Sequence, residues 1–539
     1  MSTIAPAQPA SARPRDRRST PAPPAWLVGA GVLVAVLALV PIGYLLVLTL
    51  SAGEDAVVLA LRDRTLAVLG RTVLLAGTVT VAVIGLGVPI AWLTARSDLP
   101  GRRWWTILTV LPLVVPSYVG AYAIVAAFGP RGALQSLLEP FGVERLPELY
   151  GFPGAALTLT LFTYPYVVLA VRGVLLRIDP AYEEVSRSLG RGPWRTFLTV
   201  TLPQLRPAIT AGALLATLYT LSDFGAVSLL QFDSFTRAIY VQYRASFDPT
   251  LAAVLSLMLV ACTVAVLFAE SRLRGRTRYD RSDAAVARTA PIVRLGAWRW
   301  PALGLVAAVV GLAIVVPLVT IGYWLFRGFA VGEGINLVLD ATLNSALASV
   351  LAAILCVAAA IPVAVLAVRH RSVLSSLVER ATYLGLALPG IVIGFSLVFV
   401  AARHIPAIYQ TLFLLLVAYL IRFVPEAVGI TRASLLQVSP RVEEVARTLG
   451  RSPGAVLRQV TLPIIRPGLV AAGALVFLTV MKELPITILL APTGFDTLAI
   501  RIWDATTAGF FARAAPPALL MIVVAAASLV LVMRQEQDR

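Results

Sequence analysis

Lysine is almost missing from this chain. Lys482 is the only one, so the basic side chains are otherwise all arginine. A phosphate-binding loop of the Gly-x4-Gly-Lys-Ser/Thr kind needs a lysine that reaches phosphates cradled by backbone N–H groups. The residues before Lys482 read VFLTVM, with no glycine among them, and that excludes an ATP-hydrolysing subunit. Cysteine is nearly absent too. Cys262 and Cys356 both lie in apolar runs, so neither a disulfide framework nor a zinc site is indicated. The two histidines, His370 and His404, are far apart in sequence and do not suggest a histidine metal cage or a resident cofactor. Charge of either sign is scarce at 14% of residues.

What fills the chain is apolar. Hydrophobic residues make up 58% of it and the mean hydropathy is +0.85. That composition belongs to an all-α polytopic membrane protein in contact with a lipid bilayer, not to a soluble enzyme. Twelve spans are expected. The first six are Trp26–Leu50, Leu66–Thr94, Trp104–Phe128, Ala155–Leu176, Ala208–Leu230 and Leu251–Phe268. The second six are Leu303–Phe326, Leu343–Val368, Ala381–Ala401, Thr411–Val428, Gly468–Leu490 and Pro516–Met533. Each can cross a hydrocarbon core of roughly 30 Å at about 1.5 Å per residue. Trp26–Leu50 is too long for a signal-peptide core and reads as a span.

Arginine tests the layout. With the N-terminus inside, the inner segments hold 33 arginines and the outer segments 10, which satisfies the positive-inside rule. Arg172 and Arg422 count here as inner residues. Both termini are then cytoplasmic. Residues 1–25 read as a disordered cytoplasmic tail, 26–270 as a first half of six spans, 271–299 as a basic cytoplasmic linker and 300–539 as a second half of six spans. The net charge of +17 is explained by inner anchoring and needs no nucleic acid. The outer loops are short. The longest, Gly129–Gly154, carries Glu139, Glu144 and Glu148, and none is large enough to capture a solute by itself.

One stretch occurs twice. Pro180–Pro207 reads PAYEEVSRSLGRGPWRTFLTVTLPQLRP, and Pro440–Pro467 reads PRVEEVARTLGRSPGAVLRQVTLPIIRP. The offset is 260 residues without a gap, and 15 of 28 aligned positions are identical. This is far longer than a solenoid unit and points to two fused halves. An even number of spans separates the copies, so the repeats are parallel. Locally, Glu183, Glu184 and Arg187 share one face of a short helix. Gly190 ends it as a C-cap. Pro193 opens a second short helix, which Leu202-Pro203 closes. The second copy repeats the plan with Glu443, Glu444, Arg447, Gly450, Leu462 and Pro463.

A further pair of positions obeys the same offset. Asp223, in SDFG, and Glu483, in KELP, are again 260 apart, and each follows its loop by about 16 residues, roughly 24 Å of helix. Ionisable groups inside spans are costly and face a cavity or a partner. Two readings stand side by side: Asp223, Lys482 and Glu483 line the outer pathway or its gate, or Lys482 pairs with Asp223 and sets the register of the halves.

The Glu-x5-Gly pattern, followed by nine residues, an aliphatic (Val200, Val460), one residue and Leu-Pro, resembles the EAA loop of binding-protein-dependent ABC importer permeases. Val185-Ser186 and Val445-Ala446 stand where that family has two alanines. The resemblance implies the type I ABC importer permease fold, with Glu183, Glu184, Arg187, Gly190, Leu202 and Pro203 and their second-half equivalents coupling to a separate ATPase dimer on the cytoplasmic side. SDFG and KELPITILLAPTGFDTLAIRIW also resemble the fused permeases of ferric-iron uptake, although the arginine typical at the position of Ala491 is absent. That implies ferric iron as cargo, an extracytoplasmic solute-binding protein as donor and a place in the bacterial inner membrane. Related fused permeases carry thiamine or aminophosphonates. A secondary transporter would need a midplane coupling-ion site rather than duplicated polar loops. A membrane-embedded enzyme would need clustered acids and histidines that are not there.

Overall fold

The computed structural model describes residues 23–129, 132–142, 147–245, 249–273, 292–330, 332 and 336–537. Most of the expected tail, most of the linker (274–291) and Glu144 lie outside the described residues. Among the described residues the protein is helical throughout, with one isolated bridge between Ser97 and Val293 in place of any strand. A chain in hydrocarbon must satisfy its own backbone groups, which leaves helices as the solution for runs this apolar.

Among the described residues eight helices are long and apolar enough to cross a membrane, and two bent helix pairs, each taken as one span, bring the number to ten. Ten of the twelve expected places are filled in this way, two of them by broken helices. Trp104–Phe128 and Ala381–Ala401 are not continuous. The arms Arg102–Val114 and Ser117–Phe128 meet at 99°, and Val373–Ala387 and Gly390–His404 meet at 105°. The break is at Pro116 in one half and Pro389 in the other, each extended with ψ near 140°. Proline disfavours the helical conformation in the residue before it, so Val115 and Leu388 leave the helix and the chain turns. The helices Leu202–Ser222 and Phe511–Gln537 occupy the two remaining places.

The halves are repeats with two offsets. Asp63–Arg96 and Asn336–Arg369 correspond at 273 residues, with Pro89 and Pro362 inside them at matching points. Phe152–Leu175 and Leu412–Gln437 correspond at 260, with Pro165 matching Pro425. The halves also exchange their first helices. Ala25–Ser51 packs on Val373–Ala387, Gly390–His404 and Asn336–Arg369 of the second half. A Cβ at Gly31 would stand 2.7 Å from the Leu366 Cδ1 methyl, so the helices approach closely there. Reciprocally, Val316–Ala330 packs on Ser117–Phe128 of the first half. Tyr122 donates to the Phe511 carbonyl at 2.8 Å and Tyr118 reaches the Met521 sulfur at 3.0 Å, stitching the halves through the core.

Candidate coupling loops and buried charges

The duplicated stretch forms the same structure twice. Ala181–Ser188 and Pro440–Thr448 are short helices, and each ends on a glycine with positive φ, +79° at Gly190 and +81° at Gly450. Gly190 N–H donates to Arg187 O and Arg191 N–H to Ser186 O, and the second copy repeats both bonds with Gly450 and Arg451. This is a Schellman closure, in which glycine is required by the backbone angle alone. Nothing lies within 4 Å of where either Cβ would be.

After the turn the expected plan fails in one respect. Leu202-Pro203 and Leu462-Pro463 do not close a helix. Pro193–Thr196 runs through a π-helical turn, Phe197–Thr201, into Leu202–Ser222. The second copy does the same from Pro453 to Met481. Pro203 and Pro463 sit in the first turn after the π segment, where a missing N–H leaves no bond broken.

The paired glutamates divide their work. Glu183 and Glu443 turn inward. Arg96 Nη2 donates to Glu183 Oε1 at 2.6 Å and Thr201 Oγ1 to the same oxygen at 2.9 Å. Arg369 donates to Glu443 Oε1 through Nε at 3.1 Å and Nη2 at 3.0 Å, and Thr461 adds a third bond at 3.1 Å. Arg187 and Arg447 approach the other oxygen at 4.0 and 3.9 Å. Arg96 and Arg369 are equivalent at the 273 offset, so each short helix is braced to the end of its half's long second helix. Glu184 and Glu444 are exposed instead, beside Tyr182, Val185, Leu189 and Trp194 in one copy and Val442, Val445 and Leu449 in the other. An otherwise polar loop thus carries a cluster of exposed large apolar side chains.

The intramembrane acids are helix caps. Helix Leu202–Ser222 stops at Asp223, whose Oδ1 accepts from Ala226 N–H at 3.0 Å and Val227 N–H at 3.2 Å, at the start of the short helix Gly225–Leu229. Oδ2 accepts from the Ser117 hydroxyl, just past the bend. Glu483 does likewise. Its Oε1 accepts from Ile486 N–H at 3.1 Å at the start of Pro485–Leu490, and it lies against Gly390, the equivalent of Ser117. One half uses Asp with Ser; the other uses the longer Glu with Gly.

Lys482 is elsewhere. Its ammonium donates to the Leu113 carbonyl of the other half at 3.1 Å, and no ion pair within 4.0 Å joins it to Asp223 or Glu483. The expected Lys482–Asp223 pair is not formed, because Asp223 is turned toward the helix it caps. The carboxylate in electrostatic reach of Lys482 is Glu426, which accepts from Thr479 Oγ1 at 3.2 Å. Sequence reading passed over Glu426. Its signal was an acid inside the expected span Thr411–Val428, one residue after Pro425. At the 260 offset its counterpart is Tyr166, and that of Thr479 is Tyr219; the two tyrosine rings lie 6.2 Å apart. Arg422, counted as an inner-loop residue, is well inside Leu412–Gln437. Its Nη1 donates to Gly385 O, Leu386 O and Leu388 O at 3.3, 2.9 and 2.6 Å, closing the C-terminus of Val373–Ala387.

This duplicated arrangement has known relatives. The family described as binding-protein-dependent transport system inner membrane component matches residues 87–279 and 357–537, one copy in each half and most of the chain. The chain belongs to that family. The permease is 35% identical over 496 residues to the Fe(3+)-transport system permease protein FbpB 2 of Haemophilus influenzae, covering 91% of this chain and 94% of that one. It is 36% identical over 141 residues to the molybdenum transport system permease protein ModB of Escherichia coli, covering 26% of this chain and 60% of that one. The sulfate transport system permease protein CysW of Synechococcus elongatus is 29% identical over 265 residues, 47% of this chain and 90% of that one. Among solved structures, a bacterial ABC transporter involved in the import of the acidic polysaccharide alginate aligns with a TM-score of 0.38 at 17% identity, over 47% of this chain and 96% of that one. The permease is thus a multi-pass inner-membrane transport component, not an enzyme.

Proposed function

We propose that the permease carries ferric iron across the bacterial inner membrane as the fused two-half membrane subunit of an ABC importer. The observation that carries this reading is the likeness to the Fe(3+)-transport permease over nearly the whole of both chains. The molybdenum and sulfate permeases resemble only parts of this one. An ATPase dimer docks on the two coupling helices, against Val185, Leu189, Val445 and Leu449, with Glu184 and Glu444 at the edge. Glu183 and Glu443 hold those helices to the membrane helices, so that a push on the loop moves Asp63–Arg96 and Asn336–Arg369. A solute-binding protein delivers cargo at the outer face. Both termini and the linker 271–299 are cytoplasmic, and halves 26–270 and 300–539 form one pathway.

Asp223, Glu483 and Lys482 hold the broken helices at the outer part of that pathway. Glu426, Tyr166 and Tyr219 supply carboxylate and phenol oxygens, hard donors of the kind a trivalent cation meets in passing. The test is uptake of radioactive ferric iron into proteoliposomes that contain the permease, its ATPase and the binding protein. Thiamine, an aminophosphonate, molybdate and sulfate are run in parallel. ATP-dependent accumulation of iron alone is the expected result; accumulation of one of the others in its place rejects the iron assignment.

A further inference from the structure

A cavity of about 250 Å³ opens on the face that carries the coupling helices. It is lined by Thr94 at the end of Asp63–Arg96, by Arg102, Arg103 and Thr106 of the first bent arm, and by Arg172 near the end of Phe152–Leu175. Three arginines therefore border one space. Among the described residues none of the three forms an ion pair within 4.0 Å, and no carboxylate lines the cavity. Arg172 Nε is buried without a hydrogen-bond partner. Arg102 is close enough to Arg172 for the two charges to repel. Thr106 does not compensate, since its hydroxyl is bonded to the Arg102 carbonyl of its own helix.

The other half shows how such a site is neutralised. The equivalent of Arg172 at the 260 offset is Arg432. The equivalent of Thr106 at the 273 offset is Glu379. Arg432 Nη1 pairs with Glu379 Oε1 at 3.1 Å. The second half also has Ser375 and Ser376 where the first has Arg102 and Arg103. So one half holds an arginine and its acid, and the other holds three arginines with the acid removed. Gathering like charges with no counter-charge is costly unless an anion completes the site.

We infer that this cavity binds a phosphate-bearing anion, which takes the place that Glu379 fills in the other half. The neighbouring arm favours the headgroup of an inner-leaflet anionic phospholipid as its source. That arm reads RRWWTIL, with Trp104 and Ile107 exposed beside the arginines. Tryptophan and arginine together are the side chains of a membrane interface, and basic pockets between helices on this side accept lipid headgroups. The asymmetry makes the first half alone responsive to the inner leaflet, next to the Arg96–Glu183 brace of its coupling helix.

The test uses the purified full-length permease with two probes. In lipid nanodiscs of phosphatidylcholine with a minority of phosphatidylglycerol, native mass spectrometry counts the retained lipids. In detergent, inorganic phosphate is titrated against the lipid-stripped protein. The decisive variant is Thr106→Glu, which builds in the carboxylate the second half already tolerates; Thr106→Gln matches its size without charge, and Arg172→Gln removes one cation. The wild type and Thr106→Gln retain phosphatidylglycerol over phosphatidylcholine. Thr106→Glu and Arg172→Gln weaken that retention roughly five- to tenfold. The same pattern seen with inorganic phosphate but not with lipid supports the anion site with a soluble source. Equal binding of both probes by the wild type, Thr106→Glu and Arg172→Gln overturns the site, and so does an equal loss in Thr106→Gln and Thr106→Glu.

Discussion

Ser117 and Asp223, 106 residues apart, meet just past the bend of one helix pair and at the break of another helix. The contact ties two discontinuities together: the chain leaves the helix at Pro116 and at Asp223, and the Ser117 hydroxyl donates to the Asp223 carboxylate. In the second half Glu483 approaches Gly390, which has no hydroxyl to offer, and caps Ile486 N–H alone.

The first prediction concerns this cap. Asp223→Ala removes the acceptor for Ala226 N–H, Val227 N–H and the Ser117 hydroxyl. It lowers stability by about 2 kcal/mol or more, an N-cap loss plus an unsatisfied buried donor. Asp223→Asn keeps an acceptor and is much milder. Thermal unfolding of detergent-purified protein ranks the two, and equal melting temperatures contradict the capping role.

Lys482 and Asp223 act separately. Lys482→Met and Asp223→Asn therefore give additive losses of uptake and membrane abundance in the double variant, within about 0.5 kcal/mol where a free energy can be read. Rescue of Lys482→Met by Asp223→Asn shows instead that the two charges are partners. Glu426→Gln is the change that partly relieves Lys482→Met.

The two glutamates of each loop have different fates. Glu443→Ala leaves the largely buried Arg369 guanidinium with only the Leu435 and Val438 carbonyls and costs about 2–3 kcal/mol, seen as lost abundance or a lowered melting temperature. Glu444→Ala leaves the fold intact. Leu189→Asp with Leu449→Asp also leaves it intact but abolishes co-purification of the ATPase. Retention of the ATPase by that double variant removes the apolar docking surface from the mechanism.

Gly190 and Gly450 are needed for their backbone angle. Gly190→Ala and Gly450→Ala each cost about 1–2 kcal/mol, because an L side chain resists φ near +80°. Stimulated ATP hydrolysis in the assembled transporter falls in the double variant, while the single variants retain part of it. Full hydrolysis in the double variant means the closure tolerates a different turn.

Orientation is checked by cysteine labels. A cysteine at Ser452 stays protected from impermeant reagents in intact cells, and one at Ser51, at the far end of the first helix, reacts. Labelling of Ser452 from outside reverses the proposed sidedness.

Sequence by itself determined a great deal here, because the relevant signals are local or repeated. Apolar runs decided that helices cross a membrane, since nothing else satisfies a backbone in lipid. Two copies at one offset decided that there are two halves. Gly190 and Gly450 announced positive-φ turns through chemistry confined to a few residues. Tertiary structure alone decided which of two adjacent glutamates is a brace and which is surface, because Arg96 and Arg369 lie 87 and 74 residues away from Glu183 and Glu443. It decided that Leu202-Pro203 continues a helix, since a π turn absorbs the proline and leaves no mark in composition. It placed Lys482 on Leu113 rather than Asp223, because a buried cation goes to the acceptor that packing leaves open, and that carbonyl belongs to the other half. The exchange of first helices and the unpaired arginines around Arg172 are of the same kind. Both depend on what two halves bring to one place, and spacing along a chain does not carry that.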